Sequence, residues 1–114
     1  MRRVLVVDSE PHIQRLCLEE FRDEGYEVQV ASTGGETIRL VDSFNPDMVV
    51  LEVLLPDMSG LEAGRMVKGS RKETRVVLFS NTKPPRDLKA WGADAYVYKT
   101  PDLEILKKTV RNLF

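Results

Sequence analysis

Three runs that are apolar at every position, Val4-Leu5-Val6-Val7, Met48-Val49-Val50-Leu51 and Val76-Val77-Leu78-Phe79, alternate along this chain with stretches of helical period. A strand with no polar face must be covered on both sides, which in a water-soluble domain means a parallel sheet flanked by helices. Between the runs, Ile13, Leu16, Cys17 and Phe21 fall at i, i+3, i+4 and i+8, a single helical stripe ending near Gly25. Tyr26 to Val30 alternates apolar with polar residues, as expected of a strand near the sheet edge. After Ser32-Thr33-Gly34-Gly35, read as punctuation, Ile38, Val41 and Phe44 form a second helical stripe that Asn45-Pro46 closes.

Pro56 to Gly60 reads as a turn, and Leu61 to Lys68 as a weaker helix, because Gly64 inside it costs about 1 kcal/mol relative to alanine. A fourth strand over Val76 to Phe79, a short helix over Pro85 to Trp91 and a fifth strand over Ala95 to Tyr98 follow. Leu103, Leu106, Val110 and Leu113 then mark a last helix. The pattern predicts five βα units joined by right-handed crossovers.

The 114 residues, 42% hydrophobic, suffice for one domain with a real core, taken as spanning 1–114. A net charge of -1 offers no general attraction for nucleic acid or an anionic membrane, so function is expected in a local site or face. The single Cys17 excludes an internal disulfide and a cysteine metal cluster, and suits a reducing cytoplasm. The opening Met-Arg-Arg and four apolar residues are too short for a signal peptide or membrane span.

Four of the predicted strands end on Asp8, Glu52, Ser80 or Lys99. Open parallel sheets bind ligands beyond the carboxyl ends of their strands, so these four converge on one expected site, and their chemistry suits an ion and a phosphate. Taken singly, each has a plain structural use. Asp8 would serve as a helix cap, Ser80 as a hydroxyl satisfying backbone, and Lys99 as a solvated lysine. His12 reads as first-turn helix surface, and Arg65, Lys68, Arg71, Lys72 and Arg75 as a solvated face.

In these strand ends and turns the chain resembles the receiver domain of two-component response regulators over essentially its whole length. The resemblance is carried by Val-Leu-Val-Val-Asp-Ser-Glu-Pro at 4 to 11, Gly-Tyr-Glu-Val at 25 to 28 and Pro-Asp-Met-Val-Val-Leu-Glu at 46 to 52. Leu-Pro-Asp-Met-Ser-Gly-Leu-Glu at 55 to 62 and Gly-Ala-Asp-Ala-Tyr-Val-Tyr-Lys-Thr-Pro at 92 to 101 complete it. It implies a flavodoxin-like (βα)5 doubly wound sheet, strand order 2-1-3-4-5, in a three-layer sandwich, and a role in phosphorelay signalling by a module that is not an enzyme. It also implies Mg²⁺ on Asp8, Glu10 and the acceptor carboxylate. Lys99 would pair with the phosphoryl group, and Ser80 and Tyr96 would respond to it.

Several residues depart from that pattern. Ser9 replaces the second acid, which weakens or removes the Mg²⁺ site, and Glu52 stands at the aspartate acceptor position. One methylene longer, its carboxylate would reach into the space of the phosphoryl group and pair with Lys99. Phospho-aspartate carries nearly two negative charges and three acceptor oxygens, so Glu52 is an incomplete mimic that either holds Ser80 inward or leaves the domain indifferent to input. Asn81 follows the hydroxyl, Ser59 replaces an acidic turn residue, and Thr100-Pro101 follows the lysine where proline usually comes directly. Pro84-Pro85 abbreviates the fourth helix, which changes the face made by the fourth helix, fifth strand and fifth helix.

The resulting expectation is an atypical receiver without an ordinary cofactor, acting by protein-protein interaction through that face. Its occupant would be an output domain, another protein or a second copy. Trp91 and Tyr98 are interface candidates there, with Trp91 equally readable as a cover for the core. The departures count against a histidine kinase as partner. Three alternatives stand beside it: residual Mg²⁺-dependent self-phosphotransfer, a structural dimerisation module, and a nucleotide or flavin binder. The last lacks a Gly-x-Gly-x-x-Gly after the first strand.

Overall fold

The computed structural model describes residues 1–114. Its strands are β1 (Arg3–Val7), β2 (Glu27–Ala31), β3 (Met48–Leu51), β4 (Arg75–Ser80) and β5 (Ala95–Tyr98). All neighbours pair in parallel in the order β2-β1-β3-β4-β5. The helices are α1 (Pro11–Asp23), α2 (Gly34–Phe44), α3 (Gly60–Ser70) and α4 (Glu104–Leu113). No helix is long and apolar enough to cross a membrane.

Alternation within the buried strands divides the core in two. Val4, Val6, Met48, Val50, Val77, Phe79 and Val97 face α1 and α4, meeting Cys17, Phe21, Leu106 and Val110. Leu5, Val7, Val49, Leu51, Val76 and Leu78 face α2 and α3, meeting Val41, Phe44, Ala63 and Val67. Because side chains alternate with period two, a one-residue slip would exchange these sets, so both layers fix the register. Burial pushes the Cys17 thiol up to about 12, with Asp8 adding to the rise, so it acts as a small core hydrophobe.

Local chemistry sets the helix ends. Pro11 occupies the first turn of α1, where its missing N–H costs nothing, and Gly25 takes φ +94° just beyond the helix. Thr33 caps α2 by accepting the Glu36 N–H at 3.0 Å, so Gly34 and Gly35 form the helix's first turn and do not precede it as punctuation. Asn45, at φ 52°, ends α2 in the left-handed region that asparagine tolerates. Ser59, read from sequence as a departure in a turn, caps α3 by accepting the Leu61 N–H at 3.1 Å.

The expected helix over Pro85 to Trp91 is corrected: only a 3₁₀ turn over Lys89–Trp91 forms. The Asp87 carboxylate accepts the Lys89 and Ala90 N–H groups at 3.1 and 3.3 Å, which starts the turn at Leu88, and Gly92 ends it at φ 72°, leaving room for a single turn. The domain thus has five strands but four α-helices. Trp91 is half-buried against α3, with the Arg65 guanidinium 5.5 Å from its ring centroid, whereas Tyr98 is exposed. Of the basic face, Lys68 is not simply solvated, since it bonds Asp94 at 2.8 Å and the Thr74 carbonyl at 2.6 Å. His12 is exposed in the first turn of α1, as expected.

Candidate functional site

The carboxyl ends of β1, β3, β4 and β5 bring Asp8, Glu52, Ser80 and Lys99 together, as the strand-end pattern predicts. Each is held by its strand's continuation. Asp8 donates its N–H to Ala31, Glu52 to Val7, and Lys99 to Ser80, at 3.0 to 3.1 Å. The positions of the four side chains are therefore set by sheet register.

Glu52 is the hub. Its Oε2 accepts the Val53 N–H at 2.6 Å, the Leu54 N–H at 3.0 Å and the Ser80 hydroxyl, while Oε1 accepts from Lys99 Nζ at 2.6 Å. Lys99 Nζ also lies 2.7 Å from Asp8 Oδ2 and 3.5 Å from Glu10 Oε2. Asp8 does not cap α1 through a helical N–H; its Oδ1 accepts the Glu10 N–H at 2.9 Å. Asp8, Glu52 and Ser80 are buried, while the Glu10 side chain is half exposed.

Burial pushes the Glu52 carboxyl up, yet hydrogen bonds from Lys99, Ser80 and Leu54 outweigh it and hold it below the ordinary 4.5. Burial likewise disfavours the Lys99 ammonium, but bonds to Asp8 and Glu52 prevail and raise it. Both members are charged at neutral pH. A carboxyl lowered by folding contributes stability that is fully present above its unfolded value and is lost as pH falls through its folded value. We expect unfolding by urea to show stability falling as pH drops below about 4.3, the unfolded glutamate value. Glu52→Gln should reduce the slope of that fall.

The three carboxylates proposed for Mg²⁺, those of Asp8, Glu10 and Glu52, do converge, but on an ammonium. No group of three or more acidic, histidine or cysteine side chains is arranged to hold a metal. Mg²⁺ requires near-octahedral oxygen geometry and keeps several waters. Here both Glu52 oxygens and both Asp8 oxygens already accept hydrogen bonds, and Ser9 is exposed with no carboxylate to add. The residues present do not fit that ion.

Tyr96 belongs to the same assembly at one remove. Its hydroxyl donates to the Thr82 carbonyl and lies 3.2 Å from Thr82 Oγ1, while the Thr82 N–H points to Ser80 Oγ at 3.4 Å. Thr82 was not singled out from sequence. The available signal was its place two residues after a strand-end serine, where hydroxyl residues close turns. Asp57 was also missed: its carboxylate accepts the Gly34 and Gly35 N–H groups at 2.9 Å each, tying the loop after Glu52 to the start of α2. These bonds, that of Gly34 foremost, hold the Asp57 carboxyl below its ordinary value. Topology alone joins the two segments, so no linear spacing reveals the contact.

The comparisons with known proteins agree with this geometry. The family model described as the response regulator receiver domain matches residues 4–111. The transcriptional regulatory protein TrcR of Mycobacterium tuberculosis is 37% identical over 114 residues, covering 97% of this chain and 44% of the relative. The chain thus spans less than half the length of that regulator. The response regulator TrrA of Thermotoga maritima, solved in complex with Mg²⁺-BeF, superposes with a TM-score of 0.92 at 38% identity, with all of both chains covered. TrrA solved in complex with the histidine kinase ThkA matches with a TM-score of 0.90 at 36% identity, covering 100% of this chain and 99% of that one. Fold, strand-end residues and family match therefore coincide: the chain belongs to the response regulator receiver domain family of two-component signalling.

Proposed function

We propose that this receiver domain works by phosphorylation-independent protein-protein interaction, with Glu52 standing in for a phosphorylated acceptor. The observation that carries this reading is the saturation of the Glu52 carboxylate by Ser80, Lys99 and the Val53 and Leu54 N–H groups. Those donors are the ones a phosphoryl group at this place would use. With the acceptor carboxylate already holding Ser80 and Lys99, a phosphoryl group would have to displace it and leave buried partners unsatisfied. Of the two outcomes open at the sequence level, mimicry or indifference, the Glu52 to Ser80 bond favours mimicry.

The face that would carry the output runs along β5 and α4, where Tyr98 is 55% and Ile105 68% exposed. An exposed aromatic on β5 and an exposed aliphatic on α4 suit a binding hot spot for an output domain, a partner protein or a second copy. A histidine kinase stays among the partner classes despite the altered acceptor, because the Thermotoga relative is seen bound to one.

The test is Glu52→Ala followed by amide chemical shifts. Lys99 keeps Asp8 as partner, so the fold should hold, while Ser80 loses its acceptor. Shifts extending through Ser80 and Tyr96 to Tyr98 are expected. Shifts confined to residues 52–55 would overturn the reading.

A further inference from the structure

We infer that the flank of α3 beside the 3₁₀ turn is a docking surface for an acidic segment of another protein, anchored on Arg65 and Trp91. This goes beyond the proposed role of Glu52, since none of the side chains involved bonds Glu52, Ser80 or Lys99.

Charge is segregated along the chain. Residues 1–61 hold five lysines and arginines against twelve acids, whereas residues 62–94 hold eight against four. The fold gathers much of the second set on one flank. The crossover from β4 to β5 packs Leu88 and Ala93 into the same core layer as α3, and because only Lys89–Trp91 is helical in it, α3 has no full helix for a neighbour on that side. Gly64 approaches the Trp91 carbonyl and the Lys68 stem lies against Gly92, so the turn rests directly on α3. Arg65 then places its guanidinium over the Trp91 ring, 5.5 Å from the centroid.

Most cations of this flank have no internal partner. Lys68 and Arg75 share one carboxylate, that of Asp94, at 2.8 and 3.9 Å. Arg65, Arg71, Lys72 and Lys89 form no ion pair, and Arg71 Nε is buried without an acceptor. The nearby acids Glu62 and Glu73 are exposed and pair with none of them. On the other sheet face, by contrast, Lys107 and Arg111 of α4 are matched to Glu20 and Glu24 of α1. Unmatched cations gathered on one surface raise the local concentration of anions and steer an acidic partner.

Cations alone would suit any polyanion, but two features favour a protein segment. Met66 is 47% exposed next to Arg65, and Trp91 is half-buried beneath it, so the strip carries residue types enriched at protein interfaces. A nucleic acid longer than the strip would run on, in a domain of 31 × 30 × 26 Å, to surfaces built from residues 1–61, where acids outnumber cations.

The single tryptophan lies in the strip and reports its occupancy. The probe is a short glutamate-rich peptide carrying one phenylalanine, titrated at low salt and followed by Trp91 fluorescence and amide shifts. A saturable fluorescence change is expected, with shifts confined to residues 65–75 and 89–94. The same peptide with glutamine for glutamate should give none. Raising salt to about 1 M, where the screening length is about 3 Å, should abolish the response. Arg65→Gln, Lys72→Gln and Lys89→Gln combined, all at exposed positions, should weaken binding about tenfold, since each exposed ion pair is worth about twofold, and should change the unfolding midpoint little.

No saturable response at low salt would overturn the inference, as would unaltered binding by the triple variant. A DNA oligonucleotide of matched charge that binds more tightly than the peptide would overturn it in favour of nucleic acid. Shifts at the same residues that grow with domain concentration in the absence of peptide would overturn it in favour of a second copy.

Discussion

Replacing Lys99 by methionine is expected to destabilise the domain by about 3–5 kcal/mol, the usual loss when a buried ion pair is deprived of one partner. The substitution retains much of the side-chain length, so little of the effect comes from packing. What remains is two carboxylates, Asp8 and Glu52, at 2% and 7% exposure, facing each other without a cation. Glu52, buried without its cation, would then be pushed toward its neutral form, so the variant recovers stability as pH falls. Urea unfolding at pH 7 and pH 5 should show the deficit shrinking at the lower pH. A loss below about 1 kcal/mol at pH 7, the range of exposed pairs, would show that the ammonium is not the cation of this site. Glu10→Gln is the contrasting case, since that carboxylate is half exposed at 3.5 Å and should change stability by no more than about 0.5 kcal/mol.

Gly60→Ala is the second large effect, and it acts through backbone. A Cβ at Gly60 would overlap the Glu52 carbonyl oxygen and stand 2.8 Å from both the Glu52 carbonyl carbon and Val53 Cα. No side chain can move to relieve such a contact. The close approach is fixed by the Gly60 N–H donating to the Val53 carbonyl at 2.7 Å and by the Leu54 to Ser59 bridge. Overpacking in a rigid environment costs about 1–3 kcal/mol and more where backbone must shift. A loss of about 3 kcal/mol or more is expected in thermal unfolding, with the Val53 and Leu54 amide resonances displaced because those N–H groups hold Glu52. The control is Gly69→Ala near the opposite end of α3, where nothing lies within 4 Å of a new Cβ and stability should rise slightly. A Gly60→Ala variant as stable as the parent would contradict the described loop.

Much of this arrangement was legible in the chain before any coordinates. Val4 to Val7 and Met48 to Leu51 carry no polar position, and that fixes central parallel strands, since no half-exposed strand could bury such runs. Once the strands are parallel and ordered, Asp8, Glu52, Ser80 and Lys99 must gather at one edge, and the predicted Glu52 to Lys99 pair follows from charge and reach. The helix expected over Pro85 to Trp91 shrinks to one turn because the Asp87 carboxylate caps it late and Gly92 closes it, contacts that apolar spacing does not reveal. Gly34 and Gly35 failed as punctuation because glycine pattern does not reveal that Met58 packs against Gly34, where a Cβ would run into its side chain. Thr82 and Asp57 escaped for a different reason. Their partners, Tyr96 and the α2 amides, lie far along the chain, and a single hydroxyl or carboxylate in a loop does not announce a distant contact.

The Mg²⁺ ligands show where resemblance and physics part. The carboxylates at 8, 10 and 52 are present and adjacent, as the family pattern implies, yet their shared neighbour is Lys99. A longer acid at position 52 and a serine at position 9 together shift the site's charge balance toward a closed ion pair. Reversing both, as Glu52→Asp with Ser9→Asp, supplies the control that shows whether those two changes alone account for the difference.

The most direct measurement is a titration of the domain with Mg²⁺ and beryllofluoride, followed by amide chemical shifts at Asp8, Glu52, Ser80 and Lys99 and by Trp91 fluorescence. The parent domain should give no saturable, metal-dependent change, while the Glu52→Asp, Ser9→Asp variant should respond. Saturable shifts at these four residues in the parent domain would contradict the central claim and establish a working phosphoryl site despite Glu52.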